Sequence, residues 1–211
     1  MNNYLLQVKD VSKYFGRRLI FKNLNFEISN SGILGVSGDN GSGKSTLVKI
    51  IAGISSPSSG IIVHNDGGKE IVQEKLHNYI GFVSPYLVLY EEFSAYENLS
   101  FFSNIRGIKL DRERADFLLE KLLLFQRKDD YVKTYSSGMK QRLKFIFALV
   151  HSPSLVILDE PTSNLDSKGK DTVYQIIENE SKSNIIIIAS NEQTDLNLCK
   201  REINLKDFKI K

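Results

Sequence analysis

Cysteine, histidine and one-sided charge are all scarce in this sequence, and each shortage excludes a class of protein. The single cysteine, Cys199, excludes an internal disulfide. His64 and His77 are isolated, with no second ligand at the spacing of a metal site, so we expect packing or surface roles for both. The formal net charge of +3, from 28 basic and 25 acidic residues, gives no support for a nucleic-acid partner.

Long apolar runs are absent as well. The apolar stretch at residues 185–189 has the length of a strand and is far too short for a membrane span. Residues 1–10 lack the basic segment and apolar stretch of a signal peptide. We therefore expect a cytoplasmic chain, whose role at a membrane would depend on another chain. Its 211 residues, 41% hydrophobic and 25% charged, are enough for one substantial core with a smaller subdomain attached.

Nine consecutive residues join a predicted strand at 33–36 to a helix that runs from about 43 to 52. Their glycines allow positive φ angles and a close approach of the backbone to a ligand, so successive N–H groups can surround an anion. The N-terminus of the helix adds partial positive charge. The nine residues match the P-loop pattern in full: Gly38, Asp39, Asn40, Gly41, Ser42, Gly43, Lys44, Ser45 and Thr46.

The side chains at the end of this loop suit a triphosphate bound with Mg²⁺. Lys44 can reach the outer phosphates, Ser45 can supply a hydroxyl to Mg²⁺, and Thr46 can bond a further phosphate oxygen. The alternative is a glycine-rich turn that binds nothing. The spacing of the pattern, with a strand before it and a helix after it, favours the phosphate site.

Two carboxylates end a second buried strand. Residues 155–158 are continuously apolar, as expected of a central parallel strand, and Asp159 and Glu160 follow directly. Ligands bind at the carboxyl edge of the sheet in open α/β folds, so both side chains should lie beside the P-loop. We expect Asp159 to hold Mg²⁺ through its water shell and Glu160 to accept a proton from an attacking water.

Short runs of branched residues, broken by glycine, asparagine and serine, predict further strands at 5–8, 24–28, 61–63 and 184–189, with closing edge structure at 205–210. A helix is predicted at 167–180. Tyr14 and Phe15 fall between two of the strands. Their rings could stack on a base or cover the core, and the spacing leaves both options open.

Residues 94–150 change to helical periodicity. Leu99, Phe102 and Ile105 predict the buried face of one helix, Asp111 is placed to cap a second, and a third runs from 137 to about 150. The second helix has an apolar stripe formed by Ala115, Leu118, Leu119, Leu122 and Leu123. We therefore expect a helical subdomain at 87–150, inserted into an α/β core at 1–86 and 151–211, within a single domain.

The middle of the chain is also rich in aromatic residues, which could form a groove for a partner or part of the core. These are Tyr86, Tyr90, Phe93, Tyr96, Phe101 and Phe102.

Taken together, the motifs resemble those of the ATP-binding subunits of ABC transporters, over essentially the whole chain. That family has a signature motif, usually LSGGQ, shortly before the acidic strand end, and residues 135–139 correspond to it here. The resemblance makes Ser136, Ser137 and Gly138 the centre of this motif. In the family its serine and second glycine contact the γ-phosphate held by the opposite subunit.

The same resemblance assigns roles to two further residues. Asp166 ends a stretch similar to the family's D-loop, and Phe15 aligns with the aromatic residue that stacks on adenine, with Tyr14 as the second choice. An α/β fold is implied, with a P-loop NTPase core on a mostly parallel sheet, an N-terminal antiparallel β subdomain and an inserted α-helical subdomain.

The resemblance also implies ligands and partners. ATP and Mg²⁺ are the expected ligands. A dimer is expected because in the family the P-loop of one subunit and the signature of the other close on the same ATP, and identical chains are favoured over different ones. The other expected partner is an integral membrane permease, which would hold the chain peripherally at the inner face of the cell membrane.

Two positions depart from the family pattern. Pro85 stands where the family usually has the Q-loop glutamine, and Asn191 stands where it has the switch histidine. Proline has no side-chain amide, and asparagine can donate to a phosphate but cannot carry a proton charge. Because Lys44 and Glu160 remain, we expect hydrolysis to survive, with Asn191 as a neutral hydrogen-bond donor.

Two other functions remain open from the sequence. One is an ABC ATPase that acts on an assembly without a channel, and the other is a nucleotide-binding module with weakened hydrolysis, which Pro85 and Asn191 would favour. The short chain and the form of its signature look most like small exporter subunits, including the haem-exporter type.

Overall fold

Two β-sheets form the frame of the computed structural model, which describes residues 3–209. One sheet is antiparallel, with strand order β2-β1-β4-β5, and the other is parallel, with order β6-β7-β8-β3-β9. The strands are β1 Tyr4–Phe15, β2 Arg18–Ser29, β3 Gly32–Ser37, β4 Ser59–Asp66, β5 Lys69–Glu70, β6 Ile80–Val83, β7 Leu155–Asp159, β8 Ile185–Ala189 and β9 Arg201–Asn204.

Helices cover both faces of the parallel sheet or connect its strands. They are α1 Lys44–Ile51, α2 Leu76–Tyr79, α3 Ala95–Ile105, α4 Arg112–Lys121, α5 Ser137–Leu149, α6 Ser167–Glu180 and α7 Gln193–Leu196. Single turns of 3₁₀-helix occur at Gln73–Lys75, Phe125–Arg127, Val132–Thr134 and Leu205–Phe208. The predicted α/β class, with its antiparallel sheet at the N-terminal end and its helical segment in the middle, is confirmed.

The central strands β7 and β8 are buried on both faces, as their apolar runs predict. Leu155 and Ile157 face the core that also contains α1 and the antiparallel sheet. Val156 and Leu158 face a second core, built with α3, α4, α5 and α6. The period of two in a strand therefore divides one apolar run between two cores.

Polar side chains begin the middle helices where the sequence predicts. Asp111 accepts a hydrogen bond from the backbone N–H of Arg114 at 3.0 Å, which confirms its predicted capping role. Ser94 and Glu97 form a reciprocal capping box at the start of α3. These caps satisfy N–H groups that would otherwise lack partners in the helical segment.

Two residues predicted to lie on the apolar faces of helices are exposed instead. Leu123 is 48% exposed because α4 ends at Lys121 and Leu123 takes a left-handed φ of 56°. Ile105 is 64% exposed, because six residues at about 100° each turn it about 120° away from buried Leu99.

The first strand and the last strand also differ from the sequence predictions. The strand β1 continues through Phe15, which pairs with Arg18 across the turn, so Tyr14 and Phe15 lie on a strand rather than between strands. The closing edge strand β9 lies at Arg201–Asn204, before the predicted 205–210. A 3₁₀ turn follows it, because the Asn204 side chain accepts from the N–H of Lys206 and turns the chain. Ile210 lies outside the described residues.

The carboxyl ends of three strands form one row across the parallel sheet. Val36 of β3 and Asp159 of β7 both lie opposite Ala189 of β8. The P-loop, Glu160 and the segment after β8 therefore leave the sheet side by side. Within residues 3–209, no helix combines the length and apolar character needed to cross a bilayer.

We predict that Gly81→Ala destabilises the fold because a Cβ atom there would overlap the carbonyl oxygen of Ala148 at the end of α5. Backbone overlap should lower the free energy of unfolding by about 2–3 kcal/mol in urea denaturation. Gly107→Ala is the control, since its Cβ would meet nothing within 4 Å and only its φ of 72° is unfavourable, at about 1 kcal/mol. Equal losses from the two variants would contradict the steric explanation.

Candidate functional site

The P-loop has the backbone geometry that its glycines predict. Gly38, Gly41 and Gly43 have φ angles of 143°, 74° and 110°, which side chains rarely adopt. A Cβ at Gly38 would lie 2.7 Å from the Ser42 hydroxyl, and one at Gly43 would overlap Ile20. The loop therefore requires glycine for space at two of these positions and for conformation at all three.

Lys44, the first residue of α1, directs its ammonium group into the loop. Its side chain is 5% exposed, and Nζ donates to the carbonyl oxygen of Gly38 at 2.9 Å. The same Nζ lies 3.6 Å from Oε1 of Glu160. A cation therefore lies between the loop and the acidic end of β7, where it can contact a bound anion.

Ser45 and Asp159 join α1 to the end of β7. The Ser45 hydroxyl donates to Oδ1 of Asp159 at 2.9 Å. Asp159 is fully buried, and its Oδ2 has no hydrogen-bond partner among the described residues. Burial raises the pKa of Asp159, and the Ser45 hydrogen bond opposes that rise.

This arrangement fits Mg²⁺. A buried carboxylate oxygen without a partner is unfavourable, and a cation beside it would satisfy it. Carboxylate and hydroxyl oxygens are also the ligand types that Mg²⁺ prefers, together with the phosphates of a nucleotide.

Glu160 follows the end of β7 and faces Lys44 of the P-loop. It has a left-handed φ of 50°, unusual for a residue with a side chain, and its N–H donates to the carbonyl of Ala189 at 2.8 Å. Burial raises the pKa of Glu160, while the charge of Lys44 lowers it. The carboxylate lies 3.6 Å from Lys44 Nζ through Oε1 and 3.4 Å from the Ser190 hydroxyl through Oε2, between the P-loop and the segment that follows β8.

Asn191 follows β8 and reaches the P-loop. Its amide Nδ2 donates to Oδ1 of Asn40 at 3.0 Å, and both side chains are exposed. The predicted donor to the γ-phosphate thus lies beside the loop predicted to hold that phosphate.

Phe15 lines a pocket of about 270 Å³ beside the P-loop. Its ring is 56% exposed, and Tyr14 does not line this pocket. The pocket is formed by Phe15, Arg18, Ile20, Gly41, Gly43, Lys44, Ser45 and Thr46. Arg18 is absent from the sequence predictions, although its cross-strand pairing with Phe15 would have identified it once the turn at Gly16 was recognised.

The signature stretch lies at the start of α5 and away from this pocket. Ser136 caps the helix by accepting from the N–H of Met139 at 3.2 Å, and both Ser136 and Ser137 are exposed. Gly138 faces the predicted D-loop, since a Cβ there would lie 3.3 Å from the carbonyl oxygen of Asn164. None of these residues lines the pocket that contains Lys44.

Asp166 also acts within its own helix. It caps α6 by accepting from the N–H of Gly169 at 2.8 Å. This bond explains an aspartate at that position within one chain, so its predicted D-loop role stays a prediction.

Two lysines of α5 hold the segment after β6. Lys144 Nζ donates to the carbonyl oxygens of Pro85 at 2.8 Å and Ser84 at 3.3 Å, and Lys140 pairs with Glu91 at 2.5 Å. Burial lowers the pKa of Lys144. The proline that replaces the expected glutamine is therefore held through its backbone, a contact that no sequence pattern indicates.

The predicted packing or surface roles of the histidines are confirmed, since His64 is buried and His77 is exposed. His64 is a buried packing residue that bonds the Tyr4 hydroxyl at 2.7 Å. Tyr86 and Tyr90 are 74% and 47% exposed, whereas Phe102 packs against the core. The aromatic set is thus divided between the surface and the core.

Comparisons with known proteins agree on one family. A family model described as "ABC transporter" matches residues 21–163. The uncharacterized ABC transporter ATP-binding protein YdbJ of Bacillus subtilis is 32% identical over 98% of this chain and 68% of its own length. The lantibiotic transport ATP-binding protein SrtF of Streptococcus pyogenes is 35% identical over 88% and 79%, respectively.

A solved structure has the same fold. The structure of cbiO1 from Clostridium perfringens, part of the ABC transporter complex cbiONQ, matches with a TM-score of 0.79 at 29% identity. The match covers 96% of this chain and 84% of that one.

We predict that Phe15→Ala weakens binding of ATP about tenfold, because stacking of a base on an aromatic ring contributes about 1–3 kcal/mol. Tyr14→Ala is the matched control and should change the dissociation constant less than about twofold, because Tyr14 does not line the pocket. Titration with a fluorescent ATP analogue measures both. A larger loss from Tyr14→Ala would transfer the stacking role to Tyr14.

Proposed function

The chain belongs to the ABC transporter family as an ATP-binding subunit, and on this basis we propose that it hydrolyses ATP with Mg²⁺ to drive a separate membrane permease. The observation that carries the proposal is the convergence of Lys44 and Ser45 on the acidic pair at the end of β7. Ser45 lies 2.9 Å from Asp159, and Lys44 lies 3.6 Å from Glu160. The proposed metal ligands and the proposed general base thus lie beside the P-loop.

In the proposed complex the loop holds the phosphates of ATP. Backbone N–H groups of residues 38–46 and the start of α1 bind phosphate oxygens, Lys44 contacts the outer phosphates, and Thr46 bonds a further oxygen. Phe15 stacks on adenine. Ser45 and Asp159 hold Mg²⁺, which neutralises phosphate charge when it is bound.

Glu160 is the proposed base. Its carboxylate takes a proton from the water that attacks the γ-phosphate, and the raised pKa makes it a better acceptor. Asn191 donates its amide to the γ-phosphate in place of the bond it makes to Asn40. An amide donor adds no charge there, so we expect slower turnover than a histidine would allow.

A dimer completes the proposed site. Ser136 and Gly138 are at an exposed helix N-terminus, which suits contact with the γ-phosphate of ATP held by an identical second chain.

We propose that a permease at the inner face of the cell membrane contacts residues 85–96 and their surroundings. The names of SrtF, a transport protein, and of cbiO1, part of a transporter complex, support such a partner. The division into an α/β core and a helical subdomain at 87–150 stays a prediction.

We predict that Glu160→Gln lowers ATP turnover by at least about 100-fold while ATP still binds, because the amide cannot accept the proton. Lys44→Ala should abolish both ATP turnover and ATP binding. Glu178→Gln, which changes an exposed carboxylate on α6, is the control and should keep full turnover. Phosphate release by the purified chain measures the rates.

The outcomes of that experiment also test the role of Glu160 and the alternative of a nucleotide-binding module. Equal turnover in the original chain and in Glu160→Gln would remove Glu160 from its role. ATP binding without any phosphate release by the original chain, even with its partner, would favour the nucleotide-binding module.

We predict that the Glu160→Gln chain forms a dimer with ATP, detected by light scattering on a sizing column, because ATP is retained. Ser136→Asp in that background should stay monomeric, since a carboxylate keeps the helix cap but repels the partner's γ-phosphate. Ser136→Asn keeps the cap without the charge and should still dimerise. If the chain stays monomeric while ATP is bound, the shared-site model is wrong.

A further inference from the structure

A buried carboxylate, Asp195 of α7, lies behind the proposed catalytic residues. Its side chain is fully buried and accepts three hydroxyl hydrogen bonds. Thr162 and Tyr174 donate to Oδ1 at 2.9 and 2.8 Å, and Ser190 donates to Oδ2 at 2.7 Å. The three donors come from the segment after β7, from α6 and from the residue after β8. Asp195 therefore connects the segment that follows Glu160 to the segment that contains Asn191.

No cationic side chain in the described part of the chain pairs with Asp195. Lys170 of α6 pairs with Glu192 at 2.6 Å and not with Asp195. A buried carboxylate whose partners are all neutral hydroxyls is uncommon, because buried carboxylates in proteins are normally paired with a cation or a metal. Such a residue is expected where its hydrogen-bond pattern serves the site.

Ser190 shows what that pattern determines. Its hydroxyl oxygen lies 2.7 Å from Asp195 Oδ2 and 3.4 Å from Glu160 Oε2. A serine hydroxyl has one proton, so donation along the shorter bond to Asp195 leaves none for Glu160. The carboxylate of Glu160 is thereby left free to accept a proton from water.

The same hydroxyl fixes the loop on both sides of Asn191. Ser190 Oγ accepts from the N–H of Glu192 at 3.0 Å, which closes a turn around Asn191. Glu192 is held in addition by Lys170. Asn191 projects from this turn to Asn40 of the P-loop. A neutral donor depends on its placement more than a charged one does, because it lacks long-range attraction to phosphate.

We propose that Asp195 is a positioning residue for the ATPase reaction, an inference that rests on the proposed function. By holding the Ser190 proton it keeps Glu160 available as a base and fixes the turn that presents Asn191. Its side chain is fully buried, so it acts through Ser190 and not directly on the reacting atoms.

The test is a comparison of three variants in the full chain. Asp195→Asn keeps the shape but presents an N–H group to Ser190, which turns the serine proton toward Glu160. This variant and Ser190→Ala should each lower kcat about tenfold, with the KM for ATP changed less than about twofold. Tyr174→Phe removes one hydroxyl from Oδ1 without touching Ser190, and it should keep kcat within about twofold of the original.

A double variant sharpens the result. Asp195→Asn acts through Ser190, so adding Ser190→Ala should cause little further loss of kcat. Multiplied losses would overturn the proposal, as would an unchanged kcat in Asp195→Asn or an equal loss in Tyr174→Phe. If Asp195→Asn does not fold, Ser190→Ala and Tyr174→Phe still give the comparison.

Hydrogen exchange at the Glu192 amide separates this inference from the proposed function. Exchange should be faster in Asp195→Asn and Ser190→Ala and unchanged in Tyr174→Phe, because only the first two disturb the bond that protects this amide. Unchanged exchange in both would overturn the positioning role whether or not the chain hydrolyses ATP. Turnover that is insensitive to Glu160→Gln would instead overturn the proposed function.

Discussion

The hydrogen bond between Ser45 and Asp159 is the contact on which the site depends. It connects residues 114 positions apart, from a helix that follows β3 and from the end of β7. These two strands are not neighbours, because β8 lies between them. The bond forms only if β3, β8 and β7 pair in one register, so that Val36, Ala189 and Asp159 make a row. A shift of one residue would exchange the faces of β7 and remove Asp159 from the P-loop.

The sequence predicts the parts of this site that local chemistry determines. Three glycines at P-loop spacing and an acidic pair after an apolar run suffice to predict a phosphate loop facing carboxylates, and the structure brings Lys44 and Glu160 to 3.6 Å. The helical stripe up to Leu122 is equally local. The fold class follows from the same patterns, because periodicity distinguishes the helical segment at 94–150 from the strands around it.

What the sequence does not predict depends on contacts between distant segments. Lys144 bonds a carbonyl 59 residues away, and Asp195 gathers hydroxyls from three segments. Neither residue belongs to a pattern, since a lone lysine on a helix or a lone aspartate after a strand is normally a surface residue. Helix ends are also missed: α4 ends at Lys121 and Leu123 takes a left-handed φ of 56°, although the apolar stripe continues through Leu122 and Leu123.

Two lysines of α5 connect that helix to the segment after β6. Lys140 and Lys144 lie one turn apart on α5, which begins at Ser137, and they hold Glu91 and the carbonyls of Ser84 and Pro85. Displacement of that segment would therefore pull on α5 through these two lysines. Neither lysine lines the pocket that contains Lys44, so this connection lies outside the proposed nucleotide site.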